Sequence, residues 1–207
     1  MLFNIFLVIF SFISSVIARP YLPDKIPMHW NLAGEIDSYA NKNYGIFYLP
    51  LMMLGMLILF ELSPKLDPKK ENYKIFKKEW LIIKTGILTL FAYLQGTIIY
   101  LALNPDKDVR PLIFIGLGSL FVLIGNYLSK IRQNYFIGVK LPWTLADEDN
   151  WNKSHRLASW TFVLAGLVIL LEAVVVFYPG LVIGTSLFLA IVSPIVYSYY
   201  LFKRKSH

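Results

Sequence analysis

No cysteine occurs in the 207 residues, which excludes a disulfide framework and any thiolate metal site. Histidine is nearly absent, at three residues, and acids are fewer than bases, 13 against 20. Charge as a whole is scarce, 16% of positions, against roughly 25% in soluble domains. No internal repeat or low-complexity tract is present. What fills the space is apolar: 57% of residues, gathered in six runs at residues 1–18, 45–62, 81–103, 111–128, 157–177 and 181–202. A helix needs about 20 apolar residues to cross a bilayer, whose interior forces the backbone to satisfy its own hydrogen bonds. A soluble helical protein would need polar faces on these runs, and they lack them. The expected fold is therefore an all-α integral membrane protein, one domain of six transmembrane helices. A small proline-rich outer hairpin (19–44) separates helices 1 and 2, and a long connection separates helices 4 and 5. The first run lacks a basic n-region and Arg19-Pro20 follows its weak cleavage-like site, so it reads as an uncleaved helix.

The net charge of +7 falls on the flanks of the runs, which favours anionic lipid headgroups over nucleic acid as the partner. Connections after runs one, three and five carry five bases; those after runs two and four, with the tail, carry fourteen. The positive-inside rule then places both termini and the 63–80 and 129–156 connections in the cytosol, and the hairpin outside.

Three places could hold chemistry. In the hairpin, Pro20, Pro23 and Pro27 exclude a helix, and Asn31-Leu32-Ala33-Gly34 reads as a turn. Tyr21, Trp30 and Tyr39 would pack it. Asp24, His29, Trp30, Asn31, Asp37 and Tyr39 could form a recognition surface. They could equally form a lid anchored by Trp30, or, with His29, Glu35 and the other acids, a metal site, although one histidine without ligand spacing is poor support.

The second place is the 129–156 connection. Residues 135–141 read as an extended segment turned at Gly138, with Asn126 and Asn134 bonding exposed backbone. Thr144-Leu145-Ala146-Asp147 reads as a capping box after Pro142 and Trp143, starting the fifth helix near Leu145. Asp147, Glu148 and Asp149 then sit in its first turns. With Arg132, Trp151, His155 and Arg156 this is a docking platform or a lever between helices 4 and 5. The alternative is an interfacial re-entry held by Trp143 and Trp151. In the preceding connection, Asp67-Pro68 reads as an N-cap and first-turn pair, with Tyr73, Phe76 and Trp80 at helical spacing leading into the third run.

The third place is within the membrane. Glu172, fifteen residues into the fifth run, lies about two-thirds of the way across, and Gln95 on the third run is its expected partner. Glu61 and Lys84 lie near helix ends and are expected to snorkel.

Two motifs together resemble a known family. YLPDKIPMHWNLAGEIDSY (21–39) is similar to the N-terminal outer-loop motif of a widespread bacterial membrane family. IGNYLSKIRQNYFIGVKLPWTL (124–145), with Trp151, His155 and Arg156, resembles the signature of the SdpI-type immunity proteins. The resemblance implies a non-enzymatic plasma-membrane protein, without cofactor or metal. It would protect the cell from a secreted peptide toxin and, in some members, hold a transcriptional repressor at the membrane. It also implies that the Asn126–Thr144 motif is cytosolic. The rival classes are a transporter or proton-coupled channel centred on Glu172, and a membrane hydrolase using His29 and the outer acids.

Overall fold

The computed structural model describes residues 1–31, 33–175 and 178–205. Its long helices are α1 (Leu2–Ala18), α3 (Tyr48–Leu66), α5 (Lys77–Leu103), α6 (Arg110–Leu128), α8 (Glu148–Val175) and α9 (Pro179–Lys205); short helices α2 (Lys42–Gly45), α4 (Asn72–Ile75) and α7 (Pro142–Ala146) lie between them. Six helical stretches among the described residues are long and apolar enough to cross a membrane. The chain is a multi-pass membrane protein.

The helices are sorted as lipid requires. On α1, Phe3, Phe6, Phe10, Ile13 and Ile17 point outward, while Asn4, Ser11 and Ser15 are buried. An apolar rim and small or polar seams inside are what helices need when lipid removes the hydrophobic drive between them. The helices form two groups. One is α1, α3 and α5; the other is α6, α8 and α9; α5 against α6 joins them.

In the second group the backbones nearly touch. A Cβ on Gly118 would stand 2.8 Å from the Gly166 carbonyl, and one on Gly125 would stand 2.8 Å from Val163 N. The Ser159 hydroxyl also donates to the Gly125 carbonyl across this seam. Pro194 interrupts the ladder of α9, leaving the Ala190 carbonyl without its usual donor; Thr161 of α8 donates to it at 3.2 Å. Pro179 and Gly180, which lie between the fifth and sixth apolar runs, are the first residues of α9, with Val182 N donating to the Tyr178 carbonyl at 2.9 Å. Proline fits there because a first-turn N–H has no helical partner. Residues 176–177, at the end of the fifth apolar run, lie outside the described residues, as does Leu32 of the hairpin turn.

Between α1 and α3 the chain forms an antiparallel hairpin, β1 (Lys25–Trp30) with β2 (Ile36–Asn41), with irregular register around His29. Ile26 is fully buried, in a cluster with Leu22, Ile46 and Ile98 that seats the hairpin on the end of α5. The other end of the molecule carries the long connection, over the start of α5 and the end of α6. Hairpin and connection therefore lie at opposite ends of the bundle.

Two expectations about helix ends change. Asp67 does not start the third long helix; it ends α3 and caps a turn, its carboxylate accepting from Lys69 N at 2.7 Å. The helix then breaks at Phe76 before α5 begins. Likewise Asp147, not Thr144, is the N-cap of α8. Its Oδ1 accepts from Asp149 N at 2.9 Å and Asn150 N at 3.3 Å. Thr144 belongs to the separate short helix α7, which Pro142 opens.

Candidate functional site: the connection between the fourth and fifth spans

Residues 129–141 contain no regular element, so their backbone groups need other partners. Side chains supply them. Asn134 is fully buried. Its Oδ1 accepts from Phe136 N (2.9 Å) and Ile137 N (2.8 Å), and its Nδ2 donates to the carbonyls of Arg132 and Ile137. One amide thus replaces the local ladder. Thr144 Oγ1 accepts from Leu141 N at 2.9 Å and donates to the Val139 carbonyl at 2.6 Å.

Gly138 turns the segment at φ 114°, and a Cβ there would lie 2.2 Å from His155 Nε2. Both the dihedral and the space demand glycine. His155 is fully buried and stacked on Trp151, with ring centroids 3.9 Å apart. Its Nε2 accepts from Val139 N at 3.0 Å, so its Nδ1 carries the proton and donates to the Trp151 carbonyl at 2.8 Å. Accepting at Nε2 requires the neutral imidazole, and with both ring nitrogens bonded no lone pair is left for a substrate or metal. Trp151 is itself fully buried and donates to the Ile131 carbonyl at 2.8 Å. It is a core residue and not a headgroup anchor.

Besides these contacts with α8, the connection is tied from two further sides. From the preceding connection, Asp67 Oδ2 accepts from Tyr135 N at 2.8 Å and from the Tyr73 hydroxyl at 3.1 Å. Asn72 donates to the Gln133 carbonyl at 2.7 Å. Lys69 donates to the Gln133 side chain and the Leu145 carbonyl, and Gln133 donates to the Thr144 carbonyl at 2.8 Å. Burial, with the Asp67 charge next, pushes the Tyr73 phenol well above its usual range and keeps it a donor. From α9, Ser198 accepts from Trp143 Nε1 (3.0 Å) and Asn150 Nδ2 (2.9 Å), while Lys205 meets Asp147 at 2.6 Å and Asp149 at 3.1 Å. The Lys205 bond holds the Asp147 carboxyl below its ordinary pKa.

So Asn134, Gly138, Thr144, Trp151 and His155 come together in one network, with Trp143 on its α9 side. Arg132 and Arg156 lie outside it, lining with Lys130 and Glu79 an open cleft of about 580 Å³. Pro142 is exposed at the start of α7, and Asn126 bonds the Val122 carbonyl of its own helix. Lys69, Asn72 and Gln133 had no sequence signal beyond being polar, and Asp67 read only as a helix cap, because their partners are up to 76 residues away.

In the hairpin, His29 Nδ1 and Asp37 Oδ1 are 2.6 Å apart and exposed. Asn31 Oδ1 closes the turn by accepting from Ala33 N and Glu35 N, and Lys42 meets Asp24 at 3.3 Å. Tyr39 is exposed on β2. Trp30 packs on the Leu22, Ile26, Ile46 and Ile98 cluster and lines, with Val109 and Pro179, a small pocket at the starts of α6 and α9. Among the described residues no three His, Asp or Glu side chains converge as a metal site would need.

Inside the membrane region the expected pairing fails. Gln95 donates to Ser15 Oγ (2.8 Å) and to the Ile46 carbonyl (2.9 Å), within the first helix group. Glu172 is buried in the second group. Glu61 and Lys84 do not snorkel apart. They form a 2.6 Å ion pair between α3 and α5, with the Lys84 side chain only 9% exposed, because a paired charge costs less in lipid than two single ones.

Residues 130–198 match the family model described as the SdpI/YfhL protein family, and residues 6–54 match a domain of unknown function, DUF1648. The chain is 29% identical, over 97% of its length and 95% of the other's, to the immunity protein SdpI of Bacillus subtilis (strain 168). It is also 38% identical to the uncharacterized membrane protein YbgB of the same organism, over 23% of this chain and 52% of that one. No solved structure matches the chain.

Proposed function

We propose that this chain, a membrane protein that is similar to an SdpI immunity protein along nearly its whole length, protects its cell against a secreted membrane-active peptide. The observation that carries this reading is the end-to-end similarity, 97% of one chain against 95% of the other. In this reading the hairpin faces outward and, with the outer helix ends, meets the peptide through Asp24, His29, Trp30, Asn31, Asp37 and Tyr39.

The geometry supports a path from there to the other end. Gly34 lies against the Arg110 side chain at the start of α6, and α6 is in close contact with α8 along its length. A tilt of α6 and α8 would move both anchors of the connection, since Leu128 precedes it and Trp151 and His155 hold it. The cleft at Lys130, Arg132 and Arg156, where three cations face Glu79 and a Glu148 carboxylate 3.8 Å from Arg132, keeps a net positive lining that suits an acidic segment of a cytosolic partner such as a repressor, as in the signalling members of the family.

Expression in a peptide-sensitive strain tests the reading. Survival should rise, and the double variant His29→Ala, Trp30→Ala should lose the protection while still reaching the membrane. Unchanged survival with the intact protein present in the membrane would refute the immunity role.

A further inference from the structure

Beneath the connection, where residues 137–141 cross the helix ends, lies a cavity of about 490 Å³, within the roughly 300–1,000 Å³ of ligand sites. Its walls come from both helix groups: Ile87 of α5, Ile124 of α6, Phe162 of α8 and Ile191 of α9. These four side chains are apolar, and the cavity is open on one side, with Ile191 half exposed, so it can admit an apolar chain. Lys140 lies at the cavity's lip. Its ammonium donates to the carbonyls of Tyr135 (3.2 Å) and Phe136 (2.9 Å), and among the described residues no carboxylate is within ion-pair distance of it. Two of its three donors are therefore used, and its charge is uncompensated.

Aromatic and basic side chains beside the cavity mark its level in the membrane. Trp143 stacks on Phe202 and meets Tyr199 edge-on beside the cavity, and Lys203 lies over the Tyr199 ring at 5.9 Å. Such aromatic and basic belts mark the headgroup level. An apolar cavity on the lipid side of that level, with an uncompensated cation at its rim, has the shape of one molecule's needs: a chain below and a negative group above.

We propose that this cavity is a binding site for an anionic phospholipid, with the upper part of one acyl chain between α5 and α9 and the phosphate on Lys140. The bound lipid would underlie residues 137–141 and brace the connection from the membrane side. The proposal is independent of the immunity reading.

The test is lipid titration of the purified full chain in detergent, read by native mass spectrometry, with phosphatidylglycerol and phosphatidylcholine of equal chain length. One lysine near an anionic headgroup is worth about 1 kcal/mol, or about fivefold in affinity. Wild type should bind phosphatidylglycerol about fivefold more tightly than phosphatidylcholine, and Lys140→Gln should erase the difference. Lys203→Gln, at the same level but away from the cavity, should leave it intact. Ile191→Trp, which fills the cavity, should weaken both lipids. Inorganic phosphate should not compete. Equal binding of the two lipids by wild type, or equal losses in Lys140→Gln and Lys203→Gln, would overturn the site in favour of a diffuse surface-charge effect. Competition by phosphate would overturn the lipid as occupant. If Ile191→Trp does not fold, the two lysine variants still decide.

Discussion

At the scale of single residues, the connection depends on a few side chains whose exchange has calculable cost. Gly138→Ala forces a positive φ on an L side chain, worth about 1–3 kcal/mol, and drives a methyl into His155. Thermal unfolding in detergent should show a clear fall in Tm. Gly55→Ala, where a Cβ would meet nothing within 4 Å, should be neutral or stabilising by up to about 1 kcal/mol. A Gly138→Ala protein as stable as wild type would show that the His155–Val139 bond is not what fixes the segment. Asp147 gives a second, pH-dependent case. As the N-cap of α8 it should be worth about 1 kcal/mol against alanine. Its folded pKa is depressed, chiefly by the Lys205 hydrogen bond, so its charge-dependent contribution is full above the unfolded value near 3.9. That contribution is lost as pH falls through the lower folded value. The stability difference between wild type and Asp147→Asn should therefore shrink between about pH 5 and pH 3, and a constant difference would assign the effect to packing.

At the scale of elements, the sequence was most legible where one period or one residue type decides. Apolar runs of bilayer length gave the six helices, and Pro27 with the Asn31–Gly34 turn gave the hairpin. Gly138 declared its turn because only glycine is at ease there. What stayed hidden depends on partners remote in the chain. Asp67 looks like an ordinary helix cap until Tyr135 is placed beside it, and Thr144 satisfies the capping pattern although Asp147 does the capping. Gln95 and Glu172 sit at matching depth, yet depth does not tell which helices are neighbours. The division into two three-helix groups decides that, and hydropathy carries no trace of it. The same division predicts where small residues matter. Gly118 and Gly125 face α8 backbone as well as the Leu170 and Val163 side chains, and the backbone cannot move aside, so Gly125→Leu must push α6 from α8. Overpacking of this kind costs about 1–3 kcal/mol. The same exchange at Gly96, whose Cβ position is open, should change Tm by far less. Equal losses at the two positions would mean that α6 and α8 are not in close contact.

At the scale of the whole molecule, everything turns on the two ends being unlike. One end has a stiff hairpin whose turn touches α6 and whose Trp30 lines a pocket at the starts of α6 and α9. The other has a connection pinned by Asp67, His155 and Ser198, ringed by fourteen of the bases. The hairpin turn touches α6, and α6 with α8, the most closely packed helix pair, holds the connection, so the proposed coupling between the ends would run through backbone contact instead of through side chains that can relax. Which end meets the outside medium then decides what the transmission is for. The positive-inside bias predicts that the hairpin does, and the absence of native cysteine makes this directly measurable with single cysteines. Glu35→Cys should react with a membrane-impermeant maleimide in intact cells, and Asp149→Cys should react only once the membrane is opened. The opposite pattern would put the cation-lined cleft outside the cell. A cytosolic acidic partner could then no longer reach it, and the hairpin could not be the surface that meets a secreted peptide.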